Sequence, residues 1–138
     1  MSMPEAIYYD PRSVPLPTRL AARTAVAAAR LLARRPPRQI RRVLTRLRRG
    51  AVPSTREEVL AARQAVTAVS LVCAAREGCL PRSLAVALLC RMRGGWAAWC
   101  VGTRRLPPFA AHAWVEVDGA PVGEEFPADY FRPLFTVA

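Results

Sequence analysis

The chain changes its hydrophobic period at Gly94-Gly95, and that switch restricts the fold more than any composition figure does. Before the two glycines, apolar residues recur at spacings of three and four; after them they alternate or run unbroken. Helices first and strands afterwards read as an α+β domain, with N-terminal helices packed on a small antiparallel sheet. A length of 138 residues supports one core. Aromatics are only 7%, so Ala, Val and Leu must fill it.

Residues 18–34 read as an Ala-rich helix with Leu20, Ala27 and Leu31 on one side, broken by Pro36-Pro37. A second helix at 38–48 places Ile40, Val43, Leu44 and Leu47 on an apolar stripe and its arginines opposite. Ser54 and Glu57 match a capping box ahead of a third helix, with Val59, Ala62, Val66, Val69 and Cys73 on one face. It is expected to end near Gly78 in a left-handed conformation. Pro81 then fits the first turn of a helix over 80–93, with Leu84, Leu88 and Met92 inward.

Residues 96–102 read as a buried strand, and 111–117 alternate up to Asp118-Gly119, a two-residue hairpin signal. Residues 120–126 return as the partner strand, and 127–138 add a short edge. Residues 1–17 hold four of the 13 prolines and read as an irregular arm.

All 21 basic residues are Arg; Lys and Asn are absent. Eleven of the arginines fall within 19–49, which contains no acid, leaving 10 Arg against 10 acids elsewhere. The whole net charge of +11 therefore comes from one segment. An Arg-for-Lys, Ala-rich composition is what a GC-rich genome produces, but codon bias does not concentrate charge locally. That concentration suits an anionic partner. No run approaches the roughly 18 apolar residues of a membrane span. The first ten residues lack the basic-then-apolar order of a secretory signal, so a cytoplasmic location with reduced thiols is expected.

Cys79 falls at a helix start, where unpaired N–H groups and the helix dipole favour thiolate over thiol. Cys73, Cys90 and Cys100 read as small buried hydrophobes. His112 is the only histidine, so a Cys–His mechanism has no other base. The group orienting it cannot be Asn. It must be a carboxylate, Gln or a backbone carbonyl; Asp118 is the poorest choice, since its turn explains it, and Glu124 and Glu125 lie on the return strand. A strict two-residue turn places Glu125 opposite His112; one extra residue in the turn brings Glu124 to its face. The cysteines lie six, eleven and ten apart without Cys-x-x-Cys, which argues against zinc, and no cofactor is expected. Ser83 lacks a nucleophile-elbow setting.

Three blocks carry a family resemblance: Arg-Glu-Gly-Cys-Leu-Pro-Arg-Ser-Leu-Ala (76–85), Arg-Met-Arg-Gly-Gly-Trp-Ala-Ala-Trp-Cys-Val-Gly (91–102) and Pro-Phe-Ala-Ala-His-Ala-Trp-Val-Glu-Val-Asp-Gly-Ala-Pro-Val-Gly-Glu (108–124). They resemble lasso peptide leader peptidases, of the transglutaminase-like branch of the papain-like cysteine proteases. The likeness continues through 29–37 and 61–66 and so covers nearly the whole chain. It implies a Cys-His-acid triad with the acid about twelve residues after the His: Cys79, His112 and Glu124. The family often carries Asp at that place, so Glu is a departure, and choosing 124 implies the slipped hairpin register.

The resemblance also implies partners: a precursor peptide of leader and core, a separate winged-helix leader-recognition protein, and an ATP-dependent macrolactam synthetase. Residues 1–50 then form an Arg-rich helical extension, too short and too helical to be the recognition domain, and 51–138 the protease domain. The Arg-rich segment is read as a dock for an acidic leader or for the recognition protein. Two other readings stand beside this one. The first is a non-catalytic basic module for an acidic protein, nucleic acid or a membrane surface, although no base-reading signature accompanies the arginines. The second is a thiol acyltransferase of the transglutaminase type.

Overall fold

The computed structural model describes residues 9–127 and 129–138. Of the expected N-terminal arm, residues 1–8 lie outside the described residues, and Pro11–Ser13 form one 3-10 turn capped by Asp10. Helices α1 (Leu16–Leu32) and α2 (Pro37–Leu47) each follow a proline and carry another in their first turn. The face α1 buries is not the leucine side. Ala22, Ala25, Val26 and Ala29 are buried, whereas Leu20, Ala27 and Leu31 are exposed. The small side chains at i, i+3, i+4 and i+7 let α1 lie close against the central helix described below.

Helix α3 (Arg56–Val69) opens with a capping box one residue later than the sequence suggests. Thr55 Oγ1 accepts from the Glu58 N–H, and Glu58 Oε1 accepts from the Thr55 N–H at 2.8 Å. Ser54 is unavailable because its N–H bonds the Trp96 carbonyl in a short parallel pairing of β1 (Val52–Pro53) with β2 (Gly95–Trp96). At Ser70 the backbone turns extended, and its hydroxyl accepts from Cys73 to start the one-turn helix α4 (Leu71–Ala74). Gly78 then takes φ −88, not the expected left-handed conformation. Glycine is needed there because a Cβ would run into the Val72 carbonyl.

Helix α5 (Cys79–Met92) is apolar on nearly every side, as suits a central helix. It packs on α1, α3, α4 and the sheet. Leu84, Val86 and Leu89 are buried, Leu88 is half-buried, and Met92, expected inside, is exposed. The sheet is antiparallel in the order β5-β4-β3-β6, built from β3 (Ala98–Arg104), β4 (Ala111–Val117), β5 (Ala120–Pro121) and β6 (Phe131–Val137). The tail thus supplies a full seven-residue strand beside β3. Gly102 lies opposite His112, where a Cβ would strike the Arg132 carbonyl and the Trp114 ring. Trp99 Nε1 donates to Ser83 Oγ at 3.0 Å and ties β3 to the first turns of α5.

The fold is α+β, with Cys79 at the N-terminus of a helix packed on a small antiparallel sheet. Among the described residues, no helix is long and apolar enough to cross a membrane.

Candidate active site

Cys79 is the first residue of α5, so its N–H and that of Leu80 have no acceptor within the helix. The thiol meets β4 at its edge. Val122 N–H bonds the Val115 carbonyl at 3.0 Å, which orients the odd-numbered residues of β4 toward β5. Pairing in β5 stops at Pro121, and the Ala113 N–H, two residues before Val115, helps to hold the Cys79 thiol low. The His112 ring acts on the same thiol and favours its ionised form.

The other side of His112 is held by Glu124, whose Oε1 lies 2.7 Å from Nε2. With Nε2 engaged by Glu124, Nδ1 is the ring nitrogen left for the thiol. The turn is the strict two-residue form: Asp118 and Gly119 take φ 54 and 78, and Val117 pairs with Ala120. The slipped register that Glu124 required is therefore incorrect. Gly123 does the work instead. Its φ of 75 turns the chain out of the ladder one residue after Val122, which swings Glu124 onto the ring and leaves Glu125 exposed.

Aromatic rings enclose the imidazole. Phe131 stacks at 4.7 Å between centroids, Trp114 at 5.7 Å, and Phe126 meets it edge-on at 6.0 Å. The void behind it, between Trp114, Glu124, Phe126 and Phe131, is only 10 Å³, room for a single water at most.

These contacts separate Cys79 from the other thiols. Burial raises Cys73 and Cys90 and pushes Cys100 up to about 12. Burial also acts to raise Cys79, but the bond from His112, the Ala113 N–H and the charges of His112 and Arg82 outweigh it, so its thiol falls below the ordinary value. Burial opposes the charged form of His112, yet bonds to Cys79 and Glu124 carry it up to about 9. Both shifts favour a thiolate–imidazolium pair.

Two residues that sequence reasoning missed complete the site. Arg63 of α3 places Nη1 3.7 Å from Glu124 Oε2, so one carboxylate is held on both oxygens, and its stem packs against Gly123. Arg82, in the first turn of α5, is buried and donates to the Cys73 and Ala75 carbonyls at 2.8 and 3.0 Å. It fixes the loop that leads into Cys79 and brings a positive charge to the thiol. Neither was visible from spacing, because each works across a contact that only the fold creates.

Ser83 serves Trp99, and Asp118 is an exposed turn residue. Among the described residues, no three His, Cys, Asp or Glu side chains converge as a metal would need.

A cysteine at a helix start, a histidine on a strand edge and a carboxylate behind it are the arrangement a thiol-type site would need, on an α+β frame. The family model of the transglutaminase-like superfamily matches residues 22–136, and the chain belongs to that superfamily. It includes both cysteine peptidases and acyltransferases. No curated protein and no solved structure gives a significant match.

Proposed function

We propose that the protein is a cysteine peptidase that removes the leader from a ribosomally made lasso precursor peptide. The observation that carries this reading is the single imidazole held by Glu124 at 2.7 Å, beside a Cys79 thiol that its influence lowers below the ordinary value. The choice of a leader–core precursor as substrate rests on the resemblance of the three sequence blocks.

In this mechanism the Cys79 thiolate attacks the carbonyl carbon of the last leader residue. The N–H groups at the start of α5 stabilise the oxyanion, as preorganised donors do. The His112 imidazolium gives its proton to the departing amine as the C–N bond breaks, leaving a thioester. His112 then takes a proton from water, whose oxygen attacks the thioester. The leader leaves as a carboxylic acid and Cys79 is restored. Glu124 keeps the ring in the tautomer and orientation that both steps need. Cleavage frees the core's N-terminal amine, which a macrolactam synthetase would then join into a ring. Capture of the leader falls to a separate winged-helix recognition protein.

A second reading shares the same thioester. Transfer to an amine instead of water would make the protein an acyltransferase, and membership of a superfamily with both activities favours keeping it in view.

The test is incubation with a leader–core precursor, with and without its recognition partner, followed by mass spectrometry. Hydrolysis yields a leader ending in a free carboxylate; transfer yields an amine adduct. Cleavage that survives Cys79→Ala would overturn both.

A further inference from the structure

The apolar stripe of α2 is only half used. Ile40 and Leu44 are buried, but Val43 and Leu47 remain 38% and 37% exposed, and Leu31 of α1 is 65% exposed. With Leu32 and Leu88 they line a cleft of 750 Å³ between α1, α2 and α5. Arg34 and Arg35 stand at its edge.

These two arginines differ from others nearby. Arg41 lies over the Phe135 ring at 5.2 Å, and Arg91 bonds the Leu47 and Arg49 carbonyls at the end of α2. Among the described residues, the carboxylate ion pairs are those of Glu124 with Arg63 and His112, so the cationic rim meets no acid of its own chain. A second copy would bring the same eleven arginines of 19–49 and be repelled. Nucleic acid would engage the arginines but leave the leucines uncovered.

We propose that this cleft is a docking groove for an amphipathic segment of a partner protein, apolar on one face and acidic on the other. The eleven residues of α2 span about 16 Å at 1.5 Å per residue. That suits a helix of three turns with apolar anchors at i, i+4 and i+7. The groove does not include Cys79, and the proposal stands whatever reaction occurs there.

The probe is a labelled synthetic helix-forming peptide with Leu at i, i+4 and i+7 and Glu on its other face, followed by fluorescence anisotropy. Two analogues accompany it, one with Lys for Glu and one with Ser for Leu. We expect only the Leu/Glu peptide to bind, and to weaken as salt is raised. Two double variants, Arg34→Glu/Arg35→Glu and Val43→Ser/Leu47→Ser, should each weaken binding by about tenfold or more. All four positions lie on the surface, and circular dichroism melts confirm that each variant folds.

Arg12→Glu/Arg93→Glu, which changes net charge equally but lies outside the groove lining, should cost no more than about threefold. Cys79→Ala should bind unchanged, which separates this result from any failure of the catalytic reading. Equal losses from the two charge variants would overturn the proposal, as would equal binding of the Ser analogue. Groove-dependent binding of phosphatidylserine vesicles or duplex DNA in place of the peptide would also overturn it. So would self-association abolished by Val43→Ser/Leu47→Ser.

Discussion

Glu124, not Glu125, bonds His112, although the register of the β4–β5 hairpin places residue 125 opposite the ring. Leaving the ladder at Gly123 exchanges one glutamate for the other. The proposed roles of the two can therefore be separated by single substitutions.

Glu124→Gln should lower kcat by between about 10²- and 10⁴-fold, the upper figure being the cost of neutralising the orienting carboxylate in a serine triad. The pH profile carries the sharper sign. Activity should rise with pH as Cys79, held below the ordinary thiol value, loses its proton, and fall as His112 loses its own at about 9. Without the carboxylate, the alkaline limb moves to lower pH. Glu125→Gln should leave both limbs in place. The same shift bears on stability: His112 contributes fully below its ordinary value of 6.5, and that contribution is lost as pH rises through about 9.

Cys79→Ala should abolish processing, a loss of at least about 10³-fold, and His112→Ala should fall within roughly 10²–10⁴-fold. Single-turnover mass spectrometry is the readout. Wild type should show a transient acyl-enzyme that Cys79→Ala never forms.

Arg63→Met should slow the reaction only about 1.4- to 5-fold, the scale of a partly exposed ion pair worth about 0.2–1 kcal/mol. Combined with Glu124→Gln it should add almost nothing, since both act through one carboxylate. A double-mutant cycle on kcat/KM measures this directly. Fully additive losses would mean that Arg63 acts elsewhere.

Gly123→Ala strains a residue at φ 75 by about 1–2 kcal/mol and presses a methyl group on the Arg63 side chain. Melting temperature should fall by roughly 3–10 °C. Activity measured well below that transition should fall too, because Glu124 moves with the kink.

Much of this was legible from local chemistry. The Asp118-Gly119 turn, the alternation of 111–117 and the start of α5 at Cys79 follow from residue types that act on their immediate neighbours. What escaped depended on distant contacts. The inner face of α1 is alanine because α5 lies close, and side-chain hydropathy alone favours the leucines that point outward. The capping box shifted by one because Ser54 is held by Trp96, 42 residues away. Gly123 reads as an ordinary glycine until Arg63 is brought beside it. The acid at 124 was reached by resemblance, and the register change inferred with it was wrong because a kink, not a longer turn, delivers the side chain.

The thiol's special character exists only while β4 is docked on α5. In the unfolded chain all four cysteines are ordinary, and reactivity toward an alkylating agent cannot tell them apart. In the folded chain Cys73, Cys90 and Cys100 are buried and raised, whereas Cys79 is half-buried and lowered. One fast label against three silent ones is a built-in gauge of whether the helix and the strand have met. It can follow folding in a cell extract without any substrate at all.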